Sequence, residues 1–253
     1  MPRRLLALLA LVATVAVLAC NTPPAAPALT DPKDILVKSI ESLANLKTAT
    51  IKGTFGGSIN AAEMGNFDLS TVKIDLAIDV PAKKTRITVD APTLMGTNVD
   101  VIVADGNVYM KVVGPMAAFL GADASGKYTK TAADTGSVPD EASDPTKAIA
   151  ELRAGLDKLP KAPEKLADER CGDQDCYHVR IAMTGADLAT LGGGSDIGNV
   201  SLEVWTRKND LRPAKITFAL DAGTQGNVTG TFDITYDSGV NISAPPADQI
   251  APD

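Results

Sequence analysis

The chain has 253 residues, 45% of them hydrophobic but only 4% aromatic, and 24 basic against 31 acidic side chains give a net charge of −7. An acidic balance argues against nucleic acid as a partner and against electrostatic binding to a membrane through a polybasic patch. The length fits one domain, and the apolar content is enough for a core built from Val, Ile, Leu and Ala.

Met1-Pro2-Arg3-Arg4 precedes an apolar run from Leu5 to Ala19, and Cys20 is followed by Asn21-Thr22-Pro23-Pro24-Ala25-Ala26-Pro27. A charged start before a short apolar stretch predicts a secretory signal, too short for a comfortable membrane span. Val17-Leu18-Ala19-Cys20 resembles the lipobox of bacterial lipoproteins. That resemblance implies cleavage after residue 19 and an acylated Cys20 as the first mature residue. Two or three acyl chains hold a protein on a membrane where a single chain is marginal. Loss of residues 1–19 leaves 22 basic and 31 acidic side chains, a net charge of about −9. Residues 20–30 form a Pro/Ala tether, and one domain is expected over 31–253.

Asp31-Pro32 supplies an N-cap and a proline at the first helical position. Leu36, Ile40, Leu43 and Leu46 follow at helical spacing, so the spacing predicts a helix ending near Lys47. From Thr48 the period becomes two. Val72, Ile74, Leu76 and Ile78 alternate with polar residues, as do Ile87 and Val89, then Val99, Val101 and Val103. Asp105-Gly106 is a hairpin signal, and Val108, Met110 and Val112 return from it. Met116 to Leu120 suits one or two helical turns, and 121–143 reads as a loop with one strand near Lys127-Tyr128-Thr129. Asp144-Pro145 repeats the helix-start signature, with Ile149, Leu152, Leu156 and Leu159 at helical spacing and Pro160 as the stop.

The last third is again β. Val179, Ile181 and Met183 form one run; Leu202 and Val204, then Ile216, Phe218 and Leu220, then Phe232, Ile234 and Tyr236 form others. Thr184 to Asp187 looks like a short helix start and Gly192-Gly193-Gly194 like its stop. About nine to eleven strands joined by short links predict antiparallel pairing. The expected class is α+β: one large curved antiparallel sheet with helices over one face and the other face solvated.

Chemical signatures are sparse. His178 is the lone histidine, expected on a solvated strand face, with no nucleophile placed to use it. Cys171 and Cys176 are an even pair once Cys20 carries lipid, so an exported chain should bond them to each other. A metal site is the weaker alternative, because no second ligand pair accompanies them. Asp173-Gln174-Asp175 lacks the rest of a calcium loop, and the glycines at 192–194 fit no nucleotide fingerprint. No metal, cofactor or catalytic residue is expected, and the chain is not read as an enzyme. Trp205, the only tryptophan, is either a sheet-face anchor or part of a partner surface.

The pattern resembles the LolA-like superfamily and, within it, the LppX/LprG type of bacterial lipoprotein. The resemblance lies in the first helix running into Lys47-Thr-Ala-Thr-Ile-Lys-Gly-Thr54, in Val204-Trp205-Thr206, in Leu211-Arg212-Pro213-Ala214-Lys215 and in the closing Tyr236 to Asp248 stretch. It implies a half-open β-barrel with helices at its mouth and a hydrophobic cavity that carries lipids, glycolipids or lipoglycans, at the outer face of the cytoplasmic membrane. Ile74, Leu76, Ile78, Val101, Val103, Val108, Met110, Leu202, Val204, Ile216, Phe218 and Phe232 would then line the cavity. By themselves the same positions read equally as packed core. A sensory or regulatory lipoprotein acting through an envelope protein, with Trp205 and 121–143 as its contact region, is the second reading.

Overall fold

The structure, a computed structural model, describes residues 28–61, 65–117, 125–133, 145–190 and 198–252. Cys20, the signal, most of the tether, the 192–194 glycines and much of 121–143 lie outside the described residues. Three α-helices and thirteen strands are present among them: α1 Pro32–Glu41, β1 Thr48–Ala61, β2 Gly65–Asp68, β3 Lys73–Asp79, β4 Lys84–Ala91, β5 Thr97–Ala104, β6 Asn107–Val113, β7 Thr129–Ala132, α2 Pro145–Asp157, β8 Glu164–Lys165, β9 Glu169–Cys171, β10 Gln174–Met183, α3 Gly185–Thr190, β11 Val200–Arg207, β12 Pro213–Asp221 and β13 Gly226–Tyr236. The strands make one antiparallel sheet in the order β7-β6-β5-β4-β3-β1-β13-β12-β11-β10-β8, with β2 on β1 and β9 on β10. β7 and β8 stand at opposite edges, so the sheet does not close. No helix of the described residues is long and apolar enough to cross a membrane.

Two meanders of consecutive hairpins, β3 to β7 and β10 to β13, meet where β1 pairs with β13 from Ala49↔Tyr236 to Ile59↔Gly226. Along this seam, glycine faces a large apolar residue from alternating sides: Gly53↔Phe232, Phe55↔Gly230, Gly57↔Val228, Ile59↔Gly226. The missing side chains are filled by rings. A Cβ at Gly53 would sit 2.8 Å from a Phe232 ring carbon, and one at Gly230 would sit 2.2 Å from Phe218. Phe55, Phe218 and Phe232 pack with ring centroids 5.8 to 6.2 Å apart. Aromatic rings laid over strand glycines recover the packing that glycine lacks.

Helix α1 begins as its sequence dictates: Asp31 Oδ1 accepts the Asp34 N–H at 2.9 Å and Pro32 opens the first turn. It is shorter than the apolar spacing predicts. After Glu41 the chain tightens into a 3₁₀ turn, Ser42–Asn45. The Ser42 hydroxyl lies 2.6 Å from the Ser39 carbonyl and 3.1 Å from that of Leu211, tying the helix end to the β11–β12 hairpin. Ile35, Leu36 and Ser39 are the buried face. Ser39 accepts a hydrogen bond from Thr206 on β11, which fixes α1 over β10 and β11. Helix α2 packs on α1 with ion pairs Lys33–Asp157 and Glu41–Arg153. Both are exposed pairs, screened by solvent, and add little to stability. Leu152, predicted on the apolar stripe, is 55% exposed, and the helix ends at Asp157, before Leu159. Thr184 and Asp187 cap α3 reciprocally; with Lys161 at 2.6 Å and Thr184 as donors, the Asp187 carboxyl is held down at about 2.

The opposite face is strapped by the C-terminal tail. Ile242, with Val240, Ala244 and Ile250, covers Ile102, Ala104, Tyr109 and Tyr128. Tyr128 donates to Asp100, which also receives Arg86; burial and that bond push the Tyr128 phenol up to about 12.

The seam makes a direct prediction. Gly230→Ala should lower stability by about 1–3 kcal/mol through overpacking against Phe218, whereas Gly239→Ala, whose Cβ would meet nothing, should leave it unchanged. Thermal denaturation of the two variants beside the parent reads the difference.

Candidate functional site: an uncovered aliphatic face

Strand alternation sends every second residue to the side that α1 covers. Cross-strand register aligns these positions into rows. One runs Met110–Val101–Ile87–Leu76–Ile51–Ile234; another runs Ile74–Gly53–Phe232–Ile216–Val204–Val179; a third runs Phe55–Gly230–Phe218–Leu202–Ile181. Val103 and Val108 pair next to Ile78 through Thr85. All of the predicted lining residues therefore share one face. Phe55, Ile51, Ile87, Val89, Val99, Val228 and Ile234 join them. Phe55 was missed because Gly53-Thr-Phe-Gly-Gly57 has too many glycines to read as strand.

On β1, β3 to β6 and β11 to β13, and on β10 from Tyr177 to Met183, this face carries no Asp, Glu, Lys, Arg or His. Coverage is uneven. Beneath α1, Val179, Tyr177, Thr206 and Val204 are buried. At the other end of the strands, Leu69, Val72 and Ala91 form a buried cluster with Phe55, Val89, Leu94 and Val228. Between them, Ile74, Leu76, Ile78, Val101, Val103, Val108, Met110, Leu202, Ile216, Phe218 and Phe232 stay only half-buried, and Ile87 is 36% exposed. Val204 departs from the expected lining, because α1 sits on it. An open depression of about 540 Å³, floored by Ala182, Ser201, Ala219 and Thr229 of the opposite face, lies at the strand ends and shares only Met183, Val200 and Leu220 with the aliphatic face.

The sulfur, imidazole and indole groups cluster on the opposite, polar face. Cys171 and Cys176 form a disulfide with Cα atoms 5.9 Å apart, closing the β9–β10 hairpin. The hairpin presses Glu169 onto β10 and β11, where it accepts from the Trp205 indole N–H at 3.0 Å and stands 3.4 Å from His178 Nδ1. That indole bond holds the Glu169 carboxyl below the usual carboxylate range. His178 bonds Glu203 through Nε2 at 2.9 Å and stacks on Trp205 at 4.0 Å. Lys215 covers the other indole surface, 4.5 Å from the ring centroid. The expectation of a solvated His178 fails: at 5% exposure it is buried beneath this cluster. Trp205, 7% exposed, is a sheet-face anchor and offers no contact surface to a partner. Among the described residues no group of three or more His, Cys, Asp or Glu is placed to hold a metal.

No family model matches the chain, and no curated protein matches it either. Solved structures similar to it include the Mycobacterium tuberculosis lipoprotein LppX, at 10% identity and TM-score 0.47, covering 83% of this chain and 97% of LppX. LprF from Mycobacterium bovis is similar at 14% identity and TM-score 0.46, over 85% of this chain and 99% of LprF. A LolA-superfamily protein from Nitrosomonas europaea is similar at 13% identity and TM-score 0.27, over 87% and 97%.

Replacing both Cys171 and Cys176 by Ser should cost about 2 kcal/mol, the chain-entropy value for so short a loop, and leave the sheet folded. Glu169 would then lose its clamp on Trp205. Because this is the single tryptophan, its emission should shift to longer wavelength in the variant, and guanidinium unfolding followed at that wavelength gives the stability loss.

Proposed function

We propose that this chain is an exported, lipid-anchored binding protein that carries lipids, glycolipids or lipoglycans with their acyl chains against the aliphatic face. The observation that carries the reading is a continuous strand face with no charged residue that the described residues leave half-exposed. Water against such a surface costs roughly 25 cal/mol per Å² relative to burial, so hydrocarbon covering it gains free energy in proportion to the area removed from water. Monomeric soluble proteins rarely leave a large contiguous apolar patch without a binding partner for it. Each lining residue contributes area rather than a directed bond. Ligand acyl chains would be selected by length and number, and the head group would lie outside the rows. Helix α1, held by Ser39 to Thr206 and by Ser42 to Leu211, is the fixed part of the cover. No step of this function requires a catalytic group.

The test separates a binding face from a packed core. Leu76→Lys and Ile87→Lys place an ammonium where hydrocarbon would lie, at a large desolvation cost to bound lipid. Their half-exposed positions let the lysine reach water in the free protein. Melting should stay close to the parent, within about 1 kcal/mol, while co-purifying lipid seen by native mass spectrometry falls severalfold. Val204→Trp, by contrast, should act on stability by overpacking beneath α1. A parent chain that carries no lipid, with both lysine variants strongly destabilised, would make the face a core and reject the reading.

Anchoring is tested separately. Cys20→Ala should leave an uncleaved precursor or release the protein from membranes. Fractionation and intact mass identical to the parent would remove the anchor.

A further inference from the structure

Both ends of the sheet carry charge, Asp68, Lys73, Asp90 and Asp221 at one of them, but among the described residues exposed large hydrophobic residues stand at that end alone. At the opposite end stand the hairpins at 80–83, 105–106 and 208–212, with Lys83, Asp105, Lys208, Asp210 and Arg212. Of the large hydrophobic residues that are exposed, three lie at the first end: Ile59 near the end of β1 at 39%, Met95 in the β4–β5 turn at 47%, and Val113 at the end of β6 at 44%. The turns that carry Met95 and Val113 touch, since a Cβ at Gly114 would lie 3.0 Å from the Gly96 carbonyl. Met95 has a φ of +54°, a left-handed conformation that glycine or asparagine adopts more readily. A strained turn that holds a long apolar side chain out into water has a use at a surface. Through Leu94, Val89 and Phe55 this rim is continuous with the aliphatic face.

The chain enters the domain toward this same end. Ser42 bonds Leu211 at the opposite end, so α1 runs back from there toward its start. Lys33 pairs with Asp157 at the end of α2, and four residues on Lys161 pairs with Asp187, just beyond the end of β10. The end of β10 pairs with the start of β11 and, through β12 and β13, aligns with the end of β1 where Ile59 lies. Ten residues lie between Cys20 and Asp31, a contour of at most roughly 40 Å from one to the other. The strands between β6 and β1 spread the rim over about 20 Å. An anchor at Cys20 therefore reaches a bilayer on which the rim rests.

We infer that the rim of Ile59, Met95 and Val113 docks on a lipid bilayer and stands the sheet with its polar hairpins away from the membrane. The inference rests on the acylated Cys20 of the proposed function. Among the described residues the rim carries no basic cluster, so an apolar contact is proposed, and zwitterionic phosphatidylcholine vesicles are the probe.

The acylated mature chain, with its disulfide intact, is given a single added cysteine bearing a polarity-sensitive fluorophore and reconstituted on these vesicles. Labels at Met95→Cys and Val113→Cys should brighten at least about threefold over the same labels on the unacylated chain in buffer. Labels at Lys83→Cys and Asp105→Cys, at the opposite end, should stay unchanged. Adding Met95→Asp and Val113→Asp should return a label at Ile59→Cys to its buffer value with the melting transition unaltered. Brightening at 83 or 105, or at no position, overturns the docking. Lipid content of the same samples is read independently: a lipid-free parent whose labels brighten at the rim counts against carriage while supporting the docking.

Discussion

The pairing of β1 with β13 is the constraint on which the rest depends. Each meander forms from neighbouring hairpins, and among the described strand pairings this seam is the one that joins residues near the start of the domain to residues near its end. Loop-closure entropy opposes such a contact, so the seam must be favourable along its length. Its alternating glycine and aromatic pairs supply that: the backbone comes close, and the rings of Phe55, Phe218 and Phe232 cover what the glycines leave bare. Without it, the aliphatic rows would end at β1 on one side and β13 on the other, leaving two narrower faces in place of one continuous one.

The two faces of the sheet are stabilised by different means. The polar face has complementary charges across strands, a network in which the exposed Arg86 caps the buried Asp100–Tyr128 pair, and the C-terminal strap. The aliphatic face has only area, and area is given up where α1 and the Leu69–Val72–Ala91 cluster do not reach. A sheet whose aliphatic face the other described residues cover only in part depends on the polar face and the seam for its stability.

The disulfide belongs to the same division. It closes a local hairpin rather than linking distant strands, so its stabilisation is modest. Its structural effect is to hold Glu169 over the stacked His178–Trp205 pair, sealing the polar face at its β10 edge. The residues that looked most chemical in the sequence thus serve packing, and the residues that looked plain make the candidate site.

Much of this was legible in one dimension. Period-two alternation from Val99 to Val103 and from Val108 to Val112, the Asp105-Gly106 turn and the Asp31-Pro32 cap are local signals, and a local signal needs no partner to be read. They fixed most strands, both longer helix starts and which side chains share a face. Tertiary structure alone decided which face stays open, because burial depends on what packs above a strand and not on its own pattern. It moved Val204 from an open lining to the underside of α1, and it buried His178, whose neighbours Glu169 and Glu203 come from two other strands. It also covered Gly53 with the ring of Phe232, which arrives from β13, more than a hundred and fifty residues away in sequence.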